Sequence, residues 1–363
     1  MRRLAACLLV FCCACSKPPE DVRKSHLIGP GFRYLYANQP RLQRVTHTLE
    51  INSEFGWTLQ SVKAGPRATA TLSALLEEHP EAVAAVNGDF FSKEGLASGI
   101  QITGGRLVKN PATSWMAFGM DGDNRPFIDT LTCYGEIIIN QFTSLLIDGF
   151  NRTRQSEEFI LYNSFFGPST NTNEYGGEAT LRLRHGHATV GDTVQAVVIA
   201  IDSTTGNNPI TDSTLVLSGH GEKQVRYIRR MFVGQILEVA ITSSRGRVKE
   251  AVGGFPVLVR AGANDIRPEF NKGEFYAEAT ARTAVGLSDS ALYLVCVDKT
   301  PPATSAGMSL FDLAEFMISL GCTEALNLDG GGSSTMWLNH KIVNKPSEGE
   351  ERKIANALMV LKP

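Results

Sequence analysis

The chain lacks most of the signs by which a sequence announces a partner or a cofactor. It has no charge excess: 35 Lys and Arg stand against 37 Asp and Glu, so the totals favour neither nucleic acid nor an anionic membrane surface. Beyond residue 15 it has only three cysteines, Cys133, Cys296 and Cys322, with no C-x-x-C spacing. A structural zinc and a disulfide-rich scaffold are therefore unsupported. His185 and His187 flank Gly186 and His220 lies in "SGHG", which is not metal-ligand spacing. No G-x-S-x-G elbow occurs, which argues against the common serine-hydrolase plan. The glycine-rich stretch near the end has no Walker lysine, and no G-x-G-x-x-G opens a helix. No fixed-period repeat is visible.

What is present begins at the N-terminus. "MRRLAACLLVFCCACSKPPED" has a basic start at Arg2 and Arg3, an apolar run from Leu4 to about Ala14, and then polar, proline-rich residues. The run is too short to span a bilayer, so it is expected to be an export signal over 1–15. It resembles a bacterial lipoprotein signal, with Cys15 as the residue that carries lipid and the membrane anchor; Cys13 competes as the cleavage site. Residues 16–40 are expected to form a polar tether. Cys133, Cys296 and Cys322 are expected as buried thiols, with a Cys296–Cys322 disulfide left open.

Further on, "VTHTLEINSEFGWTLQSVKA" alternates like strand, with Val45, His47, Leu49 and Ile51 on one phase. "TATLSALLEEHP" has helical spacing and stops against Pro80, and a buried strand, "AVAAVNGDFF", follows. From Ile137 to Ser243, runs of Val, Ile and Thr split by turn residues predict β structure with one short helix at "GEKQVRYIRRMF". "ALYLVCVD", "SLFDLAEFMISLG" and "EALNLD" predict strand, helix and strand, with Ser309 capping the helix and Gly321 ending it. That is a βαβ unit with parallel strands. The expected fold class is α+β or mixed α/β: a mixed β-sheet core with helices packed on it and a C-terminal βαβ unit. Asp298 and Asp329 then share the carboxyl edge of the sheet, where ligands of such sheets bind. Asn87 and Asp89 also fall at a strand's carboxyl end.

The densest candidate is "NLDGGGSST", Asn327 to Thr335. Three ordered glycines carry a large entropic cost, so the loop needs a tight turn or a ligand close to its backbone. Asp329 before them and Ser333-Ser334 after them add an anion and hydroxyls, and amides pointing one way would hold phosphate oxygens. Arg282, just before a strand, could pair with a phosphate in two-pronged fashion. Gly253 and Gly254 are expected to set shape. An inventory of carboxylates, one Arg, one Asn and backbone amides suits a phosphorylated or glycosidic substrate.

The stretches "VNGDFF", "GIQITGGRLV", "GGFPVLV", "RTAVGL", "GMSLFDLAEFMISLGCTEALNLDGGGSSTM" and "RKIANALMVL" occur in the order seen in the phosphodiester glycosidase family, which the chain resembles over roughly residues 60 to 361. The resemblance implies a single such domain over 41–363. It also implies hydrolysis of glycosyl 1-phosphodiesters, such as N-acetylglucosamine-1-phosphodiester, to free sugar and a phosphomonoester. The implied cleft holds Asn87, Asp89, Arg282, Asp329, Gly330, Gly331, Gly332, Ser333 and Asn356, with Glu178 of "EYGGEATL" as a further acidic position. Asp298 is added from the strand-edge argument, although the family continues "VDG" where this chain has Asp298-Lys299. Arg282, the glycine amides and Ser333 would hold the phosphate. Asp89 or Asp329 would be the general acid or base, and the residues leave open which. No cofactor is required, although a divalent cation shared by carboxylates and phosphate is conceivable, which keeps a metal-dependent phosphodiesterase open. A non-catalytic glycan-binding envelope lipoprotein is the other alternative.

Overall fold

The computed structural model describes residues 20–363 apart from 112, 268, 270–272 and 301–303. The export signal and the lipid site Cys15 lie outside the described residues. Among those residues no helix is long and apolar enough to cross a membrane.

The described residues are built on sheets: 47% are strand and 11% helical. The expected helix-packed α+β or α/β core does not form. Strands Leu292–Val297 and Glu324–Asn327 do run in one direction, but Arg282–Leu287 lies between them and pairs antiparallel with both. Strand, helix and strand were legible locally. The intervening strand was not, because hydrophobic period carries no information about which strand pairs with which.

Three sheets surround one apolar core. An eight-stranded sheet carries Arg44–Ile51, Leu292–Val297, Arg282–Leu287 and Glu324–Asn327 as consecutive neighbours. A five-stranded sheet pairs Ala82–Asn87 with Asn356–Leu361 and Met336–Leu338, and Asn356–Leu361 with Thr58–Lys63. Another five-stranded sheet carries Gln101–Thr103, Arg106–Lys109, Trp115–Asp121 and Val248–Gly253. Leu49, Val285 and Leu326 of the first meet Val86 and Leu358 of the second and Phe118 and Val252 of the third. The arrangement is close to a barrel. A second eight-stranded sheet, from Cys133 to Ser243, shares another core with the Trp115 sheet.

The helices cover outer faces. Leu310–Ser319 starts where Ser309 Oγ accepts from the Asp312 amide at 3.0 Å, and it buries Leu310, Leu313, Ala314 and Met317 against the first sheet. Leu72–Glu77 packs Leu72, Leu75 and Leu76 on the second. Cys133, Cys296 and Cys322 are free and buried. Cys296 belongs to the inner core and Cys322 to the outer one under the helix, so no bridge joins them. The stretch expected as a tether holds a hairpin, Val22–Gly29 with Phe32–Gln39, at the edge of the first sheet. Its outer strand is almost wholly exposed, which is why its composition is polar.

Candidate active site

Ends of strands from all three inner sheets converge, and buried amides tie them together. Asn87, at the end of Ala82–Asn87, donates Nδ2 to the Asp329 carbonyl at 2.7 Å. Its Oδ1 accepts from Thr283 Oγ1 at 2.7 Å and from the Thr335 amide at 3.1 Å. The Asp329 amide donates to the Gly88 carbonyl at 2.9 Å. Asn356 Oδ1 accepts from the Asp89 amide at 2.8 Å, and its Nδ2 donates to Gln101 Oε1 at 3.1 Å. Both asparagines are 1% exposed and spend their polar atoms on the loops beside them. Each holds a carboxylate-bearing loop in place.

Asp89 is 2% exposed. Its Oδ2 accepts from the Gly99 amide at 2.7 Å, while Oδ1 has no partner. Burial pushes the carboxyl up to about 7, the Gly99 and Phe90 amides oppose that, and the Asp329 charge adds to it. Burial also raises Asp329, opposed by the nearby Ser333 hydroxyl, the Gly330 amide at 2.9 Å and the Arg352 charge. Burial thus raises both carboxyls, and the Ser333, Gly330 and Arg352 contacts oppose it at Asp329. Gly253 has the expected shape-setting part: a Cβ there would stand 2.6 Å from Asp89 Oδ2, and one on Gly99 2.5 Å from Trp115 Nε1 and 2.9 Å from Asp89 Oδ2.

The glycine run is ordered for three separate reasons. A Cβ on Gly330 would stand 2.9 Å from the Ala281 carbonyl oxygen; Gly331 has φ +60°; a Cβ on Gly332 would stand 2.3 Å from the Arg352 guanidinium. The amides expected to hold phosphate are largely used within the protein. Gly330 N donates to the carboxylate of Asp329, Gly331 N to Ala281 O at 2.7 Å and Ser333 N to Gly330 O at 3.1 Å.

Arg282, expected to hold phosphate, spends Nε and Nη2 on backbone carbonyls. Nε donates to Met308 O at 3.0 Å, and Nη2 to Phe275 O at 3.1 Å and Glu278 O at 2.8 Å. Burial lowers its pKa to about 10. The side chain braces the loop before its strand. The cation beside Asp329 is Arg352, which lies over Gly332, is paired with Glu348 and is 42% exposed. Arg352 stands in the "RKIANAL" stretch, four residues before Asn356, but a half-exposed Arg gives no local signal. Trp115 was equally silent, and Gly99 and Gln101 lie in the quoted stretch "GIQITGGRLV" without having been singled out.

Asp298 and Glu178 are bonded elsewhere. Asp298 Oδ2 meets His47 Nε2 at 3.2 Å, His47 Nδ1 meets the Tyr34 hydroxyl at 2.7 Å, and Asp298 Oδ1 accepts from the Lys345 amide at 3.1 Å. Glu178 sits in the second eight-stranded sheet and accepts from Thr170, Thr172 and the Asn208 amide at 2.8–3.1 Å. None of these partners touches Asp89 or Asp329. Two open grooves, about 470 Å³ between the N-terminal hairpin and helix Leu310–Ser319 and about 520 Å³ beside Arg154 and Thr172, also have other linings.

Ligand capacity at the converging ends is visible in atoms left unpaired. Among the described residues, half of the buried side-chain atoms without a hydrogen bond gather here: Asp89 Oδ1, Trp115 Nε1, Asn327 Oδ1, Ser333 Oγ, Ser334 Oγ and Thr335 Oγ1, a concentration that a bound ligand would explain. At the rim stand rings of Phe90, Phe255 and Phe275. Phe255 and Phe275 are 6.2 Å apart at 19°, Phe90 and Phe275 6.3 Å apart, and Phe255 and Phe275 are 45% and 41% exposed. Among the described residues no group of three or more His, Cys, Asp or Glu comes together.

Comparison with known proteins gives likenesses of sequence and of fold. A family model for phosphodiester glycosidases matches residues 192–361, which include Arg282, Asp329, the glycine run, Arg352 and Asn356 but not Asn87 or Asp89. Human N-acetylglucosamine-1-phosphodiester alpha-N-acetylglucosaminidase is 26% identical over 156 residues, 39% of this chain and 30% of that protein, so the match spans less than a third of the relative's length. In fold, the chain is similar to a hypothetical protein from Synechocystis, with TM-score 0.71 and 19% identity over 96% of this chain and 64% of the other. It is also similar to a candidate exported protein of Burkholderia pseudomallei, with TM-score 0.65 and 22% identity over 88% and 74%. The matched segment, its curated relative and the order of the motifs support the phosphodiester glycosidase family for this chain.

Proposed function

We propose that this protein hydrolyses glycosyl 1-phosphodiesters, releasing free sugar and a phosphomonoester. The observation that carries the reading is the pairing of Asp89 and Asp329 on two loops joined backbone to backbone, beneath hydroxyls that lack partners. Asp89, whose pKa burial raises to about 7, gives its proton to the phosphate oxygen as the C1–O bond breaks. Asp329, in its ionised form beside the Arg352 charge, takes a proton from the water that attacks C1. Arg352 faces the phosphate charge, Ser333 donates to it, and the rim phenylalanines stack on a sugar face. Asn87, Asn356 and Arg282 hold this constellation rather than touch substrate. The natural site of action would be the cell envelope, with Cys15 lipidated; loss of lipid labelling in Cys15→Ser tests that part.

The test is release of sugar from a synthetic N-acetylglucosamine-1-phosphodiester in ¹⁸O-water. The expected label is in the sugar. Saturable binding with no product at any pH would make the protein a glycan binder and end this reading, and label in the phosphate would replace C–O with P–O cleavage.

A further inference from the structure

Beside the carboxylate site lies a cluster of cations that the reaction above does not use. Lys63 is directly opposite Asn356 in one antiparallel ladder, and Lys109 is directly opposite Gln101 in another. Opposed residues project from the same face. Asn356 and Gln101 are themselves hydrogen-bonded across the two sheets at 3.1 Å, so their lysine neighbours flank that amide pair, and Asn356 also holds the Asp89 amide. Each lysine is half-buried, and among the described residues neither ammonium has a hydrogen bond or an ion pair.

Other charge around them is mostly of the same sign. Lys63 is lowered to about 8 by burial and then by the charge of Lys109; Lys109 is lowered by burial and by Arg152 and Arg67. Arg152 is neutralised by Glu158 at 2.7 and 2.8 Å. Arg67 is exposed, has the uncommon φ of +46°, and lies over the Phe166 ring at 4.7 Å. Glu94 feels the Arg67 charge. The nearby buried carboxylate of Glu250 is taken by the Ser61 and Gly104 amides, both at 2.9 Å. Four cations thus stand among three carboxylates, of which Glu158 is paired with Arg152 and Glu250 is held by amides. Half-buried like charges without counterions are costly to fold, and a bound anion relieves that cost.

We propose that Lys63 and Lys109, within reach of the Arg67 charge, bind a second phosphoryl group of the substrate, beyond the scissile diester. The site selects substrates that carry a further phosphate on the side of Asn356, as a repeating glycosyl phosphate would. The inference rests on the hydrolase reading for the word substrate. The phosphoryl site itself does not depend on turnover.

Inorganic phosphate is the first probe, titrated calorimetrically at pH 7 into the full chain, Asp89→Asn, Lys63→Met, Lys109→Met and Lys63→Arg. Phosphate should bind wild type and Asp89→Asn alike. Its Kd should rise at least tenfold in each Met variant and recover in Lys63→Arg. The second probe is a pair of synthetic diesters that differ by one added phosphate, whose kcat/KM preference should vanish in the Met variants while the simpler diester is turned over normally. No phosphate binding by wild type, or equal binding by both Met variants, overturns the proposal even if the simpler diester is hydrolysed. Lysine-dependent phosphate binding without any hydrolysis upholds the site and overturns the catalytic reading instead.

Discussion

Arg352 lies where a side chain on Gly332 would have to be: a Cβ there would stand 2.3 Å from its Cζ and Nη2. The bare glycine lets the guanidinium rest on the turn that follows Asp329. Gly332→Ala should therefore act as an Arg352 mutation. Because the obstructed atoms end a flexible side chain, stability should change by less than ~1 kcal/mol, while KM rises about tenfold, a loss of ~1.4 kcal/mol in binding. Arg352→Met should do the same, and the double variant should be no worse than either single one; additive losses would mean that the contact is incidental.

Asp89→Asn should remove turnover by about 10²–10⁴-fold, the usual scale for a proton donor. It should also change how stability depends on pH. A carboxyl raised from 3.8 to about 7 contributes stability in its protonated form, fully present below the unfolded pKa and lost as pH rises through 7. The variant should match wild type near pH 3 and exceed it above pH 8 by a few kcal/mol, on the scale of ~1.4 kcal/mol per pH unit. Urea melts across that range decide it, and a constant difference would contradict the assignment.

The pH profile of kcat/KM should be bell-shaped, with the basic limb near 7 belonging to protonated Asp89. Asp329 raises Asp89, so Asp329→Asn should lower it. Carboxyl ¹³C chemical shifts read this without relying on residual activity. An Asp89 titration unchanged by Asp329→Asn would dissolve the pair.

Arg282→Met should lose stability before it loses chemistry. Three carbonyl oxygens, of Met308, Phe275 and Glu278, would lose a charged donor, each such bond being worth ~1.5–3 kcal/mol. A fall in thermal midpoint with kcat per folded molecule within about tenfold of wild type is expected. Full stability with abolished kcat would restore Arg282 to direct phosphate contact.

Phe275→Ala should raise KM several-fold at constant kcat, because its exposed ring stacks on substrate equally before and during reaction, at about 1 kcal/mol. A change confined to kcat would place the ring at the reacting bond.

The sequence by itself determined the local pieces. Apolar spacing and Ser309 fixed helix Leu310–Ser319, valine-rich runs fixed the strands, and the acidic tip before three glycines marked one loop of the site. Only the tertiary structure decided which pieces meet. The interposed Arg282–Leu287 strand turned an apparent βαβ unit into an antiparallel sheet. Sheet pairing brought Asp89 to Asp329, gave Arg282 to backbone carbonyls and put Arg352 on the glycines. It also left Glu178 and Asp298 with other partners. The physical reason is that propensity and capping act within a few residues, whereas a half-exposed arginine or a glycine needed for one close approach owes its role to a neighbour distant in the chain.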